Sequence, residues 1–331
     1  MKINLKQVSE RSGYSISTVS RVLSGKAKGR SQSVIDILFA ARDLGYTSKI
    51  NHYNNIGIPL NIALVTTHEP GEFWSCLYES FDKVSCQKKI QLSIHSVKYL
   101  KSFIEKLKFL SHNNNGIILM VPDLNNDQYS QIKRKLGTFP IVSIAPSNQP
   151  LFHTVTFDSY MGGKLAAKNL IASGYTVFGH IAGPLSKPEA NLRRAGFIDE
   201  IKKNSFDLKF EFEGDHSYES GRQAFESLNI NSFKNLGIFS SNDQMAMGFL
   251  SSAIEQNKFL LKSWGIIGYD NTPSSKIFHP KLSSIDTDLD QLASLSLEKL
   301  TTLVQNPSKN ESITTTLIPV SAVMRNTHHS K

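Results

Sequence analysis

The chain has 331 residues, 40% of them hydrophobic, and a formal net charge of +9. That length suits two or three domains with real cores, and two lone cysteines, Cys76 and Cys86, argue against a disulfide framework or a cysteine-ligated zinc site. No apolar run approaches the roughly 18 residues of a membrane span, and the opening MKINLKQVSE lacks an apolar signal-peptide core. The expectation is therefore a cytoplasmic chain with no membrane partner and no cofactor.

The charge is unevenly spread. Residues 1–50 carry nine Lys/Arg against three acids, so +6 of the +9 sits there. A compact basic end suits a polyanionic partner, with a solvated basic face as the alternative. Asn4 with Gln7 three residues later predicts a capping box that opens a first helix. Leu5 and Val8 share its inner face, and Gly13 ends it. Ser15 caps a second helix whose inner stripe is Val19, Val22 and Leu23, with Ser17, Ser20, Arg21 and Ser24 outside. The Gly/Lys loop SGKAKG follows, then a third helix from about Ser31 to Leu44, ended by Gly45.

Two short helices at a tight turn, braced by a third, make a helix-turn-helix unit. A plain three-helix mini-domain is the alternative. The second helix is built from serines, a threonine and valines, which are mediocre helix formers. Short hydroxyl side chains suit entry into a DNA groove, where they reach base edges and phosphates without crowding.

Residues 47–61 read as an Asn-rich linker. Beyond it, short β-branched runs alternate with helical stretches. Strands are expected at 61–66, 91–97, 116–121, 140–144, 153–157, 177–182, 208–212, 236–240, 265–269 and 282–286. Helices are expected at 72–88, 101–112, 159–173, 188–203, 217–228, 243–257 and 288–305. This alternation argues for parallel sheets covered on both faces, and so many strands suit two doubly wound lobes. The crossover is placed near Phe157–Ser159, with a return near Asp286.

Ligands of such sheets sit beyond the carboxyl ends of strands. Phe73 and Trp74 follow the first strand; Phe157 and Asp158 end the fifth. Arg193 lies on the helix after HIAGPLS, Asn242 follows GIFSS, and Asp270 follows GIIGY. An aromatic wall beside carboxylate, amide and guanidinium groups suits a sugar. Each residue also has a plainer reading: Asn242 as a helix cap, Asp270 as a turn residue, Arg193 as a surface charge, Trp74 as core. No G-x-S-x-G, H-E-x-x-H, P-loop or G-x-G-x-x-G occurs, so an enzyme is not expected.

The stretch LKQVSERSGYSISTVSRVLSG resembles the start of the lactose-repressor/galactose-repressor family of bacterial regulators, at Val8, Gly13, Ser15 and Thr18 to Leu23. AARDLGY at 40–46 matches the end of that family's third helix. VTFDSYMGGKLAAKNLIASGY, HIAGPLSKPEANLRRAGF, SNDQMAMGFLSSAI, GIIGYDNTPSSKIFHPKLSSID and IPVSAVMRNT extend the resemblance to about residue 327. It implies an α/β chain: an all-α helix-turn-helix head and two doubly wound parallel-sheet lobes of the periplasmic-binding-protein type. The implied domains are 1–46 for the head, 47–60 for a hinge, and 61–331 for effector binding and dimerisation. Lobe 1 would take about 61–157 and 287–318, and lobe 2 about 158–286 and 319–328.

The function so implied is a repressor of carbohydrate-utilisation genes, a homodimer on double-stranded operator DNA, controlled by a sugar or glycoside effector. Ile16, Ser17 and Arg21 would face bases, and Ser15, Thr18 and Ser20 would hold phosphates, with Ser24 and Lys26 flanking them. Arg193, Asn242 and Asp270 match the family's sugar-hydroxyl contacts; Phe73, Trp74, Phe157, His216 and Leu289 complete the implied effector set. Departures from the family pattern are Gln7, Ser9, Ser12 and Tyr14 in the head. In the effector region, Ala145 replaces an acid, His216 a stacking tryptophan, Thr287 a glutamine and Leu289 a phenylalanine, which changes the sugar held. The hinge lacks the family's Pro-Asn and Ala-x-x-Leu, with Asn55 at the leucine's place and Ile56 beside it. A leucine-heptad tail has no counterpart, so a dimer is expected rather than a tetramer. The alternatives are a regulator answering to a non-sugar co-repressor and a stand-alone sugar-binding protein.

Overall fold

The computed structural model describes residues 3–24, 26–27, 31–44, 46, 59–67, 69–97, 103–147, 149–228, 233–256, 263–306 and 312–328. The hinge expected at 47–60 lies outside them except for its last two residues.

Three helices form the head: α1 (Leu5–Ser12), α2 (Ile16–Leu23) and α3 (Gln32–Asp43). The capping box is present, with Gln7 N–H donating to Asn4 Oδ1 at 3.0 Å and Asn4 N–H to Gln7 Oε1 at 2.9 Å. Gly13 closes α1 at φ +76°, a backbone state open to glycine, and donates to Ser9 O at 2.9 Å. Val8, Val19, Val22, Leu23, Val34, Ile37, Leu38, Ala40 and Ala41 make the head's buried core. Tyr14 ties the turn to α3, its hydroxyl donating to Asp36 Oδ2 at 2.8 Å.

Two six-stranded sheets follow. Sheet A holds β1 (Asn61–Thr67), β2 (Gln91–Val97), β3 (Gly116–Met120), β4 (Ile141–Ser143), β5 (His153–Phe157) and β11 (Thr315–Ile318), in the order β11-β5-β4-β3-β1-β2. All its pairings are parallel. Helices α4 (Glu72–Gln87) and α12 (Leu289–Gln305) cover one face; α5 (Phe103–Asn113) and α6 (Asn126–Leu136) cover the other. The strands alternate accordingly: Ile62 and Leu64 pack with Phe81 and Leu300, while Ala63 and Val65 pack with Phe103 and Leu107.

Sheet B holds β6 (Val177–Ala182), β7 (Leu208–Glu213), β8 (Leu236–Ser240), β9 (Gly265–Asp270), β10 (Ser283–Asp286) and β12 (Ser321–Val323), in the order β12-β10-β9-β8-β6-β7. Only β12 runs antiparallel. Helices α7 (Ser159–Ala172) and α8 (Pro188–Lys203) cover one face, α9 (Tyr218–Ser227) and α10 (Asp243–Glu255) the other, and the short α11 (Pro273–Ile277) follows β9. The chain passes between sheets three times: after Phe157, after Asp286, and between Ile318 and Ser321.

The ten expected strands are present, and the two-lobed α/β architecture is the one the alternation pointed to. Four elements were not anticipated. Helix α6 buries only Tyr129 and Ile132 of its eleven residues, too sparse a stripe to stand out. Helix α11 is a single turn, and β11 and β12 are short and mostly unburied, borrowing their order from the strands they flank.

Helices α7 and α8 cross at backbone contact. A Cβ on Gly163 would lie 2.0 Å from Arg193 O, and one on Gly196 would lie 1.9 Å from Tyr160 O. This crossing sets the depth of the α8 turn that carries Arg193. Gly163→Ala is expected to lower stability by about 3 kcal/mol, because the obstacle is backbone and cannot swing aside. Urea denaturation of the variant checks it.

Candidate functional site

On the head, α2 presents a small polar face. Ser15, Ile16, Ser17, Ser20, Arg21, Ser24 and Lys26 are exposed and Thr18 is half-buried. Ile16, an apolar residue at the first turn, is 48% exposed. Ser15 Oγ caps the helix, accepting from Thr18 N–H at 3.3 Å, and lies 2.9 Å from Ser17 Oγ and 2.8 Å from Thr18 Oγ1. Ser24 Oγ turns back onto Arg21 O at 3.2 Å. The structure thus groups all eight residues singled out for DNA on or beside one helix.

A cavity of about 430 Å³ opens between the lobes, within the range of small-molecule sites. Its walls are the carboxyl ends of strands. Lobe 1 supplies Glu69 to Trp74 from the β1–α4 loop and the start of α4, with Met120 ending β3 and Pro122 beyond it. Lobe 2 supplies Lys187, Glu189 and Arg193 around α8, Asp215 to Ser217 after β7, Asn242 and Gln244 around the start of α10, Asp270 at the end of β9 and Thr272 after it. Six of the eight effector candidates meet here: Phe73, Trp74, Arg193, His216, Asn242 and Asp270.

Two do not. Phe157 is 8% exposed and belongs to the hydrophobic core beneath the crossover. Leu289 opens α12 and packs against that same core. Both lie at strand ends or helix starts in sequence, yet their apolar side chains follow the core rather than the cleft. Thr287, beside Leu289, supports the site from behind, its hydroxyl donating to Asp270 O at 3.3 Å.

The plainer readings also hold for some residues. Asn242 is the cap of α10, accepting from Met245 N–H at 3.0 Å, while its amide donates to His216 O at 2.8 Å. Trp74 is 8% exposed and meets Phe73 edge-on, with ring centroids 5.6 Å apart at 83°. His216 sits at φ +72°, and Nε2 presses against Gly183. Burial, with the charges of Arg193 and Lys187, lowers its imidazole to about 3, so it stays neutral.

Arg193 is not a surface charge. It is 8% exposed, its guanidinium lies 3.7 Å from the Tyr269 ring centroid, and Nη1 donates to Ser241 O at 2.5 Å. Asp270 Oδ1 stands 3.9 Å from Nη2, beyond hydrogen-bond reach, and neither Oδ1 nor Arg193 Nε has a partner. Burial pushes the Asp270 carboxyl up to about 7, against the pull of Arg193, with Glu189 adding repulsion. Asp270 itself holds φ +101°, a strained backbone state for a side-chain-bearing residue.

Sequence reasoning passed over Glu69, Glu72, Lys187, Glu189 and Asp215. Five carboxylates and two cations line the cleft in all. Lys187 Nζ reaches across to Glu69 Oε1 at 2.7 Å and to Asp123 Oδ1 at 3.8 Å. Burial is the strongest single influence and works against its charge, but the Glu69 hydrogen bond with the charges of Glu69, Asp123 and Glu189 together keep its pKa above the ordinary lysine value. Glu72 likewise accepts from Ser274 N–H of lobe 2 at 3.1 Å. A usable signal existed for Glu189: it is four residues before Arg193 and directly follows Pro188, so it falls in the first helical turn and on the arginine's face. Among the described residues, no group of three His, Cys, Asp or Glu side chains could hold a metal ion, and no helix is long and apolar enough to cross a membrane.

Comparisons with known proteins meet this geometry. The signature of the periplasmic binding protein-like domain matches residues 167–328. The lactose operon repressor of Escherichia coli (strain K12) is 25% identical over 331 residues, covering 98% of this chain and 90% of that protein. The repressor PurR of Mannheimia succiniciproducens is 25% identical over 305 residues, covering 89% and 90%. A crystal structure of the lac repressor dimer bound to operator and the anti-inducer ONPF superposes with a TM-score of 0.74 at 25% identity, covering 99% of each chain. These matches together support a regulator of the lactose-repressor/galactose-repressor family. As in its relatives of this family, a DNA-binding repressor head precedes a ligand-binding domain, and those relatives are transcriptional repressors rather than enzymes.

Behind the cleft, Asp243 joins three elements. It accepts from Thr272 N–H at 2.8 Å and from Ser284 Oγ at 2.6 Å. Burial raises its carboxyl to about 8, with Asp270 adding repulsion, against those hydrogen bonds. The folded chain holds this proton more tightly than the unfolded one, so its contribution to stability is complete below about pH 4 and is lost as pH rises to about 8. Asp243→Asn is expected to flatten stability against pH over that window, as read by denaturation at several pH values.

Proposed function

We propose that this chain is a sequence-specific repressor of carbohydrate-utilisation genes whose operator affinity is set by a sugar or glycoside held between its lobes. The observation that carries the effector half is the pairing of Phe73 and Trp74 on lobe 1 with Arg193, Asn242 and Asp270 on lobe 2. Ring faces cover apolar C–H patches, while guanidinium, amide and carboxylate each take hydroxyls.

For DNA, α2 enters the major groove. Ile16, Ser17 and Arg21 read base edges; Ser15, Thr18 and Ser20 hold phosphates; Ser24 and Lys26 flank the backbone. Two copies of the chain pair, as the operator-bound lac repressor does, and set their heads on half-sites about one helical turn apart. Effector in the cleft favours one lobe arrangement and so biases head spacing, with a coupling of about 1–3 kcal/mol typical of such systems. The effector domain spans 61–331, with the head at 1–46.

A gel shift with the full chain is expected to retain operator duplex in a salt-sensitive way, and Arg21→Ala to weaken that retention by about tenfold or more. A protein lacking residues 1–60 that still held the operator would sink the head assignment. For the cleft, a thermal-shift panel of sugars, glycosides and nucleobases is expected to return a sugar or glycoside. Asp270→Asn is expected to cut its affinity about tenfold or more, since asparagine tolerates the same positive φ and only the charge is lost. A nucleobase as the sole hit would move the reading to the PurR type of effector.

A further inference from the structure

Glu189 leaves one carboxylate oxygen unspent in the cleft wall. It follows Pro188 in the first turn of α8, lines the cleft, and its Oε2 is buried with no hydrogen-bond partner. Lys187, the cation nearest in sequence, is taken up by Glu69 across the cleft at 2.7 Å. Arg193, one helical turn on, is committed through Nη1 to Ser241 O and through its face to the Tyr269 ring. Asp270, whose side chain is 8% exposed, offers a second unpartnered carboxylate oxygen, 3.9 Å from Arg193 Nη2. The Arg193 charge favours ionisation of both carboxyls, and Glu189 raises the cost of charging Asp270. Burial is the main reason both carboxyls sit above their ordinary range.

Hydroxyl groups of a neutral sugar could donate to both oxygens, yet the enclosed site would keep a net negative charge. An ammonium group donates three hydrogen bonds and cancels that charge. We propose that Glu189 is the specificity-determining carboxylate of the cleft and that, with Asp270, it selects an effector bearing a protonated amino group beside its hydroxyls: an amino sugar or amino glycoside. The proposal rests on the sugar reading above and narrows it.

The test is calorimetric titration of the full chain at neutral pH with glucosamine and galactosamine, their N-acetyl derivatives, and glucose and galactose. An amino sugar is expected to bind about tenfold tighter than its N-acetyl and hydroxyl counterparts. Glu189→Gln removes the charge without changing size and is expected to erase that preference, while Glu189→Asp keeps it. The unliganded melting curve of each variant reports folding, and the wild-type ranking alone already decides. A neutral sugar binding as tightly as its amine, or a preference that survives Glu189→Gln, overturns the proposal and leaves the sugar reading standing. If no sugar of either kind binds, the sugar reading itself fails, and the proposal with it.

Discussion

A buried guanidinium held just out of hydrogen-bond reach of a buried carboxylate is the feature on which the cleft depends. Taking both charges out of water is costly, and an imperfect pair recovers little of that cost. Arg193 is therefore anchored elsewhere, on the Tyr269 ring and Ser241 O, and Asp270 is held by a strained backbone with Thr287 behind it. The open valences that result, Arg193 Nε and Asp270 Oδ1, are fixed in place before any ligand arrives. Preorganisation of this kind reduces the ordering a ligand must impose on the site. The glycine crossing of α7 and α8 belongs to the same device, because it fixes where the arginine's helix turn lies.

The two lobes contribute unlike chemistry. Lobe 1 brings rings and the carboxylates Glu69 and Glu72; lobe 2 brings Arg193, Asn242, Asp270, Glu189 and Lys187. Direct contacts already span the gap, with Lys187 bound to Glu69 and Glu72 accepting from Ser274 N–H. The lobe arrangement is thus held by a few polar contacts at the mouth above a continuous apolar core that runs from Leu64 to Tyr269. Polar contacts of that kind are each worth little where solvent reaches them. A ligand with modestly different affinity for two arrangements can therefore shift their balance.

The fold was largely legible because each strand in the two lobes is a short β-branched run between helical stretches, and burial on both faces makes such runs conspicuous. Elements that escaped had weak signals for physical reasons: α6 buries two residues, and β11 and β12 are ordered by their neighbours rather than by their own pattern. In the cleft, Asn242 and Asp270 could be read because they stand at a strand's carboxyl end, and Arg193 because it lies on the helix that follows one. Phe157 and Leu289 follow the same positional rule but are apolar, and for them the core is the stronger pull. Glu189 and Lys187 were invisible to that rule, since charged residues at a helix start are ordinary; Glu189 could be reached only through its place one turn before Arg193, and Lys187 only through the three-dimensional cleft.

In the head, sequence and function pull in opposite directions, and the structure reconciles them. A helix rich in serine and valine forms poorly alone. Here Val19, Val22 and Leu23 lock one side into a core shared with α1 and α3, and Ser15 supplies the cap. With order supplied from behind, the outer side needs no helix-stabilising residues of its own. It can consist of short hydroxyls, Arg21 and a half-exposed Ile16, which is the thin and polar surface that a groove about 12 Å wide admits. Tyr14 strengthens the same arrangement from the turn, through its bond to Asp36 on α3. The tertiary brace, not intrinsic propensity, is what frees the α2 surface for the DNA contacts proposed for it.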